Sequence, residues 1–232
     1  MNGRTGVRMS QWGGWSSNAG APPAADRWQF ISIYGMAGAP HQFAMNARRW
    51  MDLYGVTSED LARYCVHARS NAAKNPRAIM RDPITVEDHQ NSRLIVDPYH
   101  ILDCCLETDV AGAVIITTPE RARDLKKRPV LVSAAIHSQA PKVDIIDSGF
   151  PRMMPRLLDA AGIELKDIDI YEPYDNFSDS PLRALEDIGF CKRGEGKDFI
   201  LDGRVSLDGE LPITTHGGLM NEGYVHGFNN GM

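Results

Sequence analysis

The sequence lacks three things, and each absence removes a class of function. It has no excess of basic residues: 25 Lys and Arg stand against 30 Asp and Glu, a formal net charge of −5. A dedicated nucleic-acid binder would show a basic stripe, so no nucleic-acid partner is expected. It has no apolar run near the ~18 residues of a membrane span. The longest runs, Val110 to Ile116 and Val130 to Ile136, are strand-sized. No membrane association is expected, and the opening Met1-Asn2-Gly3-Arg4 offers no apolar signal core. Finally, no Cys-X-X-Cys pair exists among Cys65, Cys104, Cys105 and Cys191, which leaves zinc-finger and thioredoxin chemistry unsupported. Adjacent Cys104 and Cys105 do not suit a secreted disulfide framework, so a reducing, cytoplasmic compartment is expected.

What is present is the material of an ordinary globular protein. Hydrophobic residues make up 43% and charged residues 24% of 232. That length suits one or two domains with a real core. Residues 11–28 mix Gly, Ser, Ala and Pro with Trp12, Trp15 and Trp28, which reads as a long loop with aromatic anchors. Over 40–54, Phe43, Ala44, Ala47, Trp50, Met51 and Tyr54 recur at three- and four-residue spacing, which predicts a helix stopped by Gly55. Thr57 then opens a second helix, with Asp60 as the acidic partner of a capping box and Leu61, Tyr64, Cys65 and Ala68 as its apolar face.

From about residue 94 the texture changes. Asp109 to Thr118 and Pro129 to Ile136 read as buried strands, flanking a charged helix over Pro119 to Lys127. Pro151 to Ala161 reads as a helix stopped by Gly162. Asp167 to Tyr171 reads as a short strand, and Ser180 to Ile188 as a helix stopped by Gly189. Lys192 to Asp208 reads as hairpin-like, and 217–232 as two glycines running into a helix. Strands alternating with helices predict an α/β fold. A basic run meets a proline near 126–130, which divides the chain into 1–127 and 128–232.

Two stretches could carry chemistry. From Leu211 to Gly227, glycines at 217, 218, 223 and 227 surround His216, Tyr224 and His226. Glycines let a ligand approach the backbone, and a helix start there could hold an oxyanion. A plain glycine-rich turn explains the composition equally well. In Tyr171 to Ser178, Pro173 fixes a turn from which Tyr174 and Asp175 could project, where α/β folds place their sites. A helix cap by Asp175 or Ser178 is the competing explanation. Cys104 and Cys105 lie in an apolar segment and read as small packing residues rather than nucleophiles. His137, at a strand end, reads as a core histidine before a catalytic one. Arg4 and Arg8 read as solvated charges, and Gly35 to Gly38 is too short for a dinucleotide fingerprint.

Together these stretches resemble the C-terminal part of the thiolase superfamily. The segments that carry the resemblance are Met1 to Met9, Asn46 to Thr57, Asn71 to Pro76, Asp97 to Cys105, Thr108 to Ala113, Gly189 to Gly196 and Leu211 to Gly227. They occur in order along essentially the whole chain and are most similar to the sterol-carrier-protein type. The resemblance implies a layered α-β-α-β-α fold with a helical and loop insertion near the N-terminus. It also implies that the segment bearing the superfamily's nucleophilic cysteine lies upstream of Met1 and the last strands beyond Met232. The fold is therefore expected to be incomplete at both ends, and the isolated chain to aggregate through uncovered sheet edges.

The departures from the family pattern point to the chemistry. Thiolases carry Gly-His-Pro, whose histidine activates the nucleophile; here the triplet is Gly223-Tyr224-Val225. Their Asn-Glu-Ala-Phe or His-Asp-Cys-Phe segment is here Tyr174-Asp175-Asn176-Phe177, and Val-Asn-Pro has become Ile213-Thr214-Thr215. This pattern resembles the actinobacterial lipid-transfer-protein branch, whose steroid-degrading members are aldolases on side-chain CoA thioesters. The resemblance implies retro-aldol cleavage of a β-hydroxyacyl-CoA with Tyr174 and Tyr224 as acid and base. That division of labour requires surroundings that lower one tyrosine pKa. It further implies His216, Gly217, Gly218 and Gly223 as substrate or oxyanion contacts, with no bound cofactor or metal. A homodimer and a partner subunit with an OB-fold and zinc ribbon follow from the same resemblance. An ordinary acetyl-CoA acyltransferase is the alternative, and a non-catalytic acyl-CoA or lipid-binding subunit a third.

Overall fold

The protein is described by a computed structural model over residues 32–36, 38–109, 113–137 and 144–224. The loop with Trp12, Trp15 and Trp28, the arginines at 4 and 8, and residues 225–232 lie outside the described residues. In chain order the regular elements are helices α1 (Ala39–Tyr54), α2 (Ser58–Ala72) and α3 (Val86–Asn91), then the short hairpin β1 (Leu94–Val96) and β2 (Tyr99–His100). After it come α4 (Pro119–Arg123), α5 (Phe150–Ala161), α6 (Asp179–Ile188) and α7 (Gly196–Leu201). Single 3-10 turns sit at Ser32–Tyr34, Ile101–Asp103 and Leu165–Asp167.

The helices form where their local signals place them. α1 carries Pro40 in its first turn and ends where Gly55 adopts a left-handed φ of 65° and caps the Met51 carbonyl. α2 starts with the expected box: Thr57 Oγ1 accepts from the Asp60 N–H, and Asp60 Oδ2 accepts from the Thr57 N–H. A second box of the same kind, Thr85 with Asp88, opens α3. Gly162 and Gly189 end α5 and α6 in the left-handed region.

α2 is the central helix. It packs against α3, α7 and the Ile101–Asp103 turn, while α6 bridges α5 and α7. The core it anchors contains Trp50, Leu61, Tyr64, Tyr99, Leu182, Leu185 and Ile213, all fully buried. Polar tips of these aromatics find partners inside it. Trp50 Nε1 donates to Glu186 Oε2 at 2.9 Å. Tyr99 stacks on Phe177 with ring centroids 4.7 Å apart, and its hydroxyl donates to Asp179, which also pairs with Arg183 at 2.8 Å. Asp103 is a second buried hub. Its Oδ1 receives the Ser178 hydroxyl at 2.6 Å and the Cys65 thiol at 3.6 Å, and His89 Nε2 lies 2.9 Å away. Its Oδ2 accepts the His100 N–H at 2.6 Å.

The expected strands are the main correction. Residues 113–118 and 129–136 have no regular structure and pair with nothing among the described residues, and Val114, Ile115, Ile116, Val130, Leu131 and Val132 are exposed. A strand exists only where a neighbour takes up its backbone donors and acceptors. The apolar pattern of these segments is that of buried strands, but the described residues supply no neighbour. His137 is accordingly exposed rather than packed in a core. Asp167 to Tyr171 reduces to one parallel bridge, Tyr171 with Ile213. Lys192 to Asp208 is not a hairpin but α7 and a series of turns. The charged helix after Thr118 is shorter than its pattern, ending at Arg123. Among the described residues no helix is long and apolar enough to cross a membrane.

Replacing Trp50 by Phe removes a buried donor and leaves Glu186 Oε2 without it. The expected cost is about 1–3 kcal/mol in denaturant unfolding. A loss below about 0.5 kcal/mol, the scale of a neutral surface change, would contradict this account of the core.

Candidate active site

The segment 211–224 contains turns and no helix or long strand, so its backbone polar groups need partners elsewhere. α2 supplies them. Tyr64, His67 and Asn71 recur at helical spacing and share one face. Asn71 Nδ2 donates to the carbonyls of Ile213 and Thr214 at 3.3 and 3.2 Å, and His67 Nε2 lies 3.3 Å from the Ile213 carbonyl. Arg69 Nε donates to Asn221 Oδ1, whose Nδ2 donates to the Gly217 carbonyl at 2.8 Å. Just past the helix, Asn75 Nδ2 donates to the His216 carbonyl at 2.9 Å. Thr214, held on both sides, takes a left-handed φ of 51° while fully buried, a strained conformation for a β-branched residue.

The Gly217-Gly218 pair passes against two neighbours. A Cβ on Gly217 would overlap Ala72, and one on Gly218 would overlap Asp175 Oδ2 and the Thr214 methyl. Both glycines also have left-handed φ, 103° and 72°. Asp175 fills the space above Gly218. Its Oδ1 accepts the Leu219 N–H at 2.8 Å and its Oδ2 accepts the Tyr64 hydroxyl at 3.2 Å; Tyr64 in turn lies 2.9 Å from Thr214 Oγ1. Burial raises the Asp175 carboxyl to about 7, against the opposing pull of the Leu219 N–H and the His216 charge. The helix-cap explanation for this stretch therefore fails. Asp175 caps no helix, and the Ser178 side chain goes to Asp103.

This scaffold brings Tyr174 and Tyr224 together, although 50 positions separate them in sequence. Their hydroxyls lie 2.6 Å apart. Tyr174 is 44% exposed and Tyr224 only 5%, so the pair reaches from solvent to interior. Tyr224 is fixed at its backbone, where its N–H donates to Thr108 Oγ1 at 2.7 Å and its carbonyl accepts from the same hydroxyl at 3.0 Å. Burial raises both phenols above their ordinary value. The shared hydrogen bond raises Tyr174 further but pulls Tyr224 back down. The expected lowering of one pKa is thus not met, yet the pair is polarised: the phenolate form is disfavoured less at Tyr224. Cys105 sits within electrostatic reach of both tyrosines, and burial raises its thiol to about 12, so it is a neutral neighbour rather than a nucleophile.

The remaining residues of interest are placed as follows. His216 turns Nδ1 toward Glu222 at 2.7 Å and Nε2 toward Glu172 at 3.4 Å. Burial alone would lower its pKa; Glu172 and then Glu222 outweigh it, so the imidazolium is favoured. The Gly217 N–H donates to the Thr214 carbonyl at 3.0 Å, whereas the Gly218 N–H meets no acceptor among the described residues. Gly223 precedes Tyr224 with an extended φ of 159°. Cys65, His89 and Asp103 are the described side chains whose donor atoms could converge on a metal, within 4.8 Å of one another. Burial holds the Cys65 thiol protonated, and the hydrogen bonds around Asp103 occupy the group. The polar face of α2 escaped sequence reading because Tyr64 also fits an apolar stripe. Its signal was the His67 and Asn71 that continue the same face.

Comparison with known proteins gives one family and several relatives. Residues 133–232 match the thiolase C-terminal domain-like family. A 17-hydroxy-3-oxo-4-pregnene-20-carboxyl-CoA lyase of Mycobacterium tuberculosis is 44% identical over 86% of this chain and 55% of its own length. A steroid side-chain-cleaving aldolase of Thermomonospora curvata is 42% identical over 99% of this chain and 61% of its own. A solved structure described as an Ltp2-ChsH2(DUF35) aldolase superposes with a TM-score of 0.81 at 37% identity, over 92% of this chain and 59% of that one. The chain thus spans 55% and 61% of the length of these two curated relatives.

The close approach of Gly218 gives a direct check. Gly218→Ala is expected to cost about 2–4 kcal/mol, from left-handed strain plus overlap with Asp175. Gly55→Ala, with a similar φ of 65° but open space around it, should cost only about 1–2 kcal/mol. Equal losses in thermal unfolding would show that the turn does not press on Asp175.

Proposed function

We propose that this chain, a member of the thiolase superfamily, forms part of an aldolase-type lyase that cleaves a β-hydroxyacyl-CoA between its α and β carbons. The observation that carries the reading is the hydroxyl pair of Tyr174 and Tyr224, 2.6 Å apart, where thiolases hold other catalytic groups. Both relatives quoted above are named for lyase or aldolase activity, and one name specifies a steroid CoA thioester. The substrate class proposed is accordingly a steroid side-chain or similar lipid thioester of coenzyme A.

Because burial disfavours a free phenolate at either position, the tyrosines act in this reading as a relay. The β-hydroxyl proton passes to Tyr224 as Tyr224 passes its own proton to Tyr174 and Tyr174, 44% exposed, gives its own to solvent, so both phenols stay neutral. The Cα–Cβ bond breaks, the β-carbon becomes a ketone or aldehyde, and the bonding electrons enter the thioester as an enolate. A proton returned from solvent along the same pair then reaches Cα. Substrate equals carbonyl product plus shortened acyl-CoA, with no proton gained or lost. The enolate oxygen faces the Gly217-Gly218 turn, where the Gly218 N–H is the donor that lacks an acceptor among the described residues. His216 and Gly223 flank that position, His216 adding positive charge from between Glu172 and Glu222.

The layered arrangement and the division at 127 and 128 belong to this reading and draw support from the family match over 133–232. So do a homodimer and an OB-fold, zinc-ribbon partner subunit. For the partner, the support is the paired name of the structural neighbour. A cytoplasmic location is likewise part of the proposal.

Tyr224→Phe keeps shape and packing but removes one hydroxyl. It is expected to lower kcat by roughly 10²–10⁴ with KM nearly unchanged. Tyr174→Phe should behave similarly, and the double variant should lose less than the product of the two because they serve one proton path. Steady-state release of the carbonyl product measures this. A Tyr224→Phe enzyme with more than about half the wild-type kcat, the noise of a neutral change, would show that the tyrosine is structural.

A further inference from the structure

We propose that Asp175 is the positioning residue of this site: its buried carboxylate locks the Gly217–Leu219 turn and so sets where the Tyr224 hydroxyl meets Tyr174. The inference rests on the aldolase reading for its kinetic consequence, but its geometry stands alone. Asp175 is completely buried and spends one oxygen on the Leu219 N–H, at 2.8 Å, and the other on the Tyr64 hydroxyl, at 3.2 Å. It leaves no room for any side chain at 218. It is thus clamped between α2 and the turn. On one side it follows Tyr174 directly in sequence; on the other the turn leads within five residues to Tyr224. Leu219 ties the arrangement to the segment around Leu106, because its carbonyl accepts the Leu106 N–H at 3.1 Å.

A carboxylate has only acceptors to offer, and here both oxygens face donors. Once Oδ2 is protonated it can donate to the Tyr64 hydroxyl, which then turns its own proton to Thr214 Oγ1, and Oδ1 keeps the Leu219 N–H only as a neutral acceptor, in a bond about half as strong. The lock is therefore tightest when Asp175 is ionised. The groups that face Asp175 are Tyr64 from α2, Tyr174 beside it, Cys105 from the adjoining segment and His216 from the turn. Tyr64, Tyr174 and Cys105 are neutral well above neutral pH, since burial raises each. His216 is the charged neighbour, its cation favoured by Glu172 and Glu222. Its cation, together with the Leu219 N–H and the Tyr64 hydroxyl, pulls Asp175 down from the still higher value that burial alone would set.

The sign of the linkage separates this role from a merely structural one. A carboxyl whose folded pKa lies above its unfolded value favours folding at low pH, and that contribution disappears as pH rises from the ordinary carboxylate range to about 7. Asp175 thus costs stability where the protein is expected to work. Asp175→Asn removes that cost and is expected to unfold at pH 8 no earlier than wild type, while losing roughly 10²-fold in kcat with KM within about twofold.

The decisive readout is amide hydrogen exchange at Leu219, followed by NMR on the whole chain from pH 5 to 9. In wild type the protection factor should drop as pH falls through about 7. In Asp175→Asn it should be low and independent of pH. In His216→Gln the step should persist but move to higher pH, because the cation that lowers Asp175 is gone. Tyr64→Phe should move it upward too, and serves if Asp175→Asn fails to fold. A Leu219 protection factor that is flat in wild type, or a step that survives in Asp175→Asn, would overturn the proposal. If the exchange behaves as expected but no aldol cleavage is found, the lock stands and the reaction assigned to the site falls.

Discussion

The site depends on one docking arrangement, in which the polar face of α2 satisfies a backbone that has no regular structure of its own. Residues 211–224 form turns, and their carbonyls are taken up by Asn71, by Asn75 and by Asn221, which Arg69 holds in place. Each such bond is worth only about 1 kcal/mol net, but leaving the buried carbonyl unpaired would cost more than making it gains. The geometry is thereby over-determined. That is how a buried threonine can be held at a φ of 51° and two glycines can run against Ala72 and Asp175. Tyr224 stands at the end of this segment and is stitched at both backbone groups to Thr108.

Burial then decides the acid–base character of everything nearby. It raises the phenols of Tyr174 and Tyr224, the thiol of Cys105 and the carboxyl of Asp175. The exception is His216, where two carboxylates outweigh desolvation and favour the cation. A site in which the neutral forms prevail suits proton passing along a preformed hydrogen bond better than a standing phenolate. The 2.6 Å contact between the tyrosines supplies such a bond.

The parts of the fold that were legible in the sequence are those whose cause is local. The Thr57–Asp60 box, the stops at Gly55, Gly162 and Gly189, and the apolar faces of α1 and α2 all act within a turn or two of helix. The strand expectations at 109–118 and 129–136 rested on composition alone, and a strand is defined by a neighbour that composition does not name. The site divides in the same way. No spacing rule links Tyr174 to Tyr224; the family resemblance drew attention to both, and the fold brought the hydroxyls together. Asp175 was visible as a side chain that could project from the Pro173 turn or cap a helix, but nothing local says that its partners would be Tyr64, 111 positions away, and Leu219, 44 positions away.

The claim that the tyrosine pair does aldol chemistry, rather than acyl transfer through a cysteine, is tested most directly by counting coenzyme A. The protein would be offered a β-hydroxyacyl-CoA alone and, separately, a β-ketoacyl-CoA with free CoA, while thiols and carbonyl products are followed together. The account predicts one ketone or aldehyde and one shortened acyl-CoA per β-hydroxy substrate, with the free thiol count unchanged and no turnover of the β-keto substrate. Cleavage that occurs only with free CoA present, and consumes one CoA for each bond broken, would contradict it.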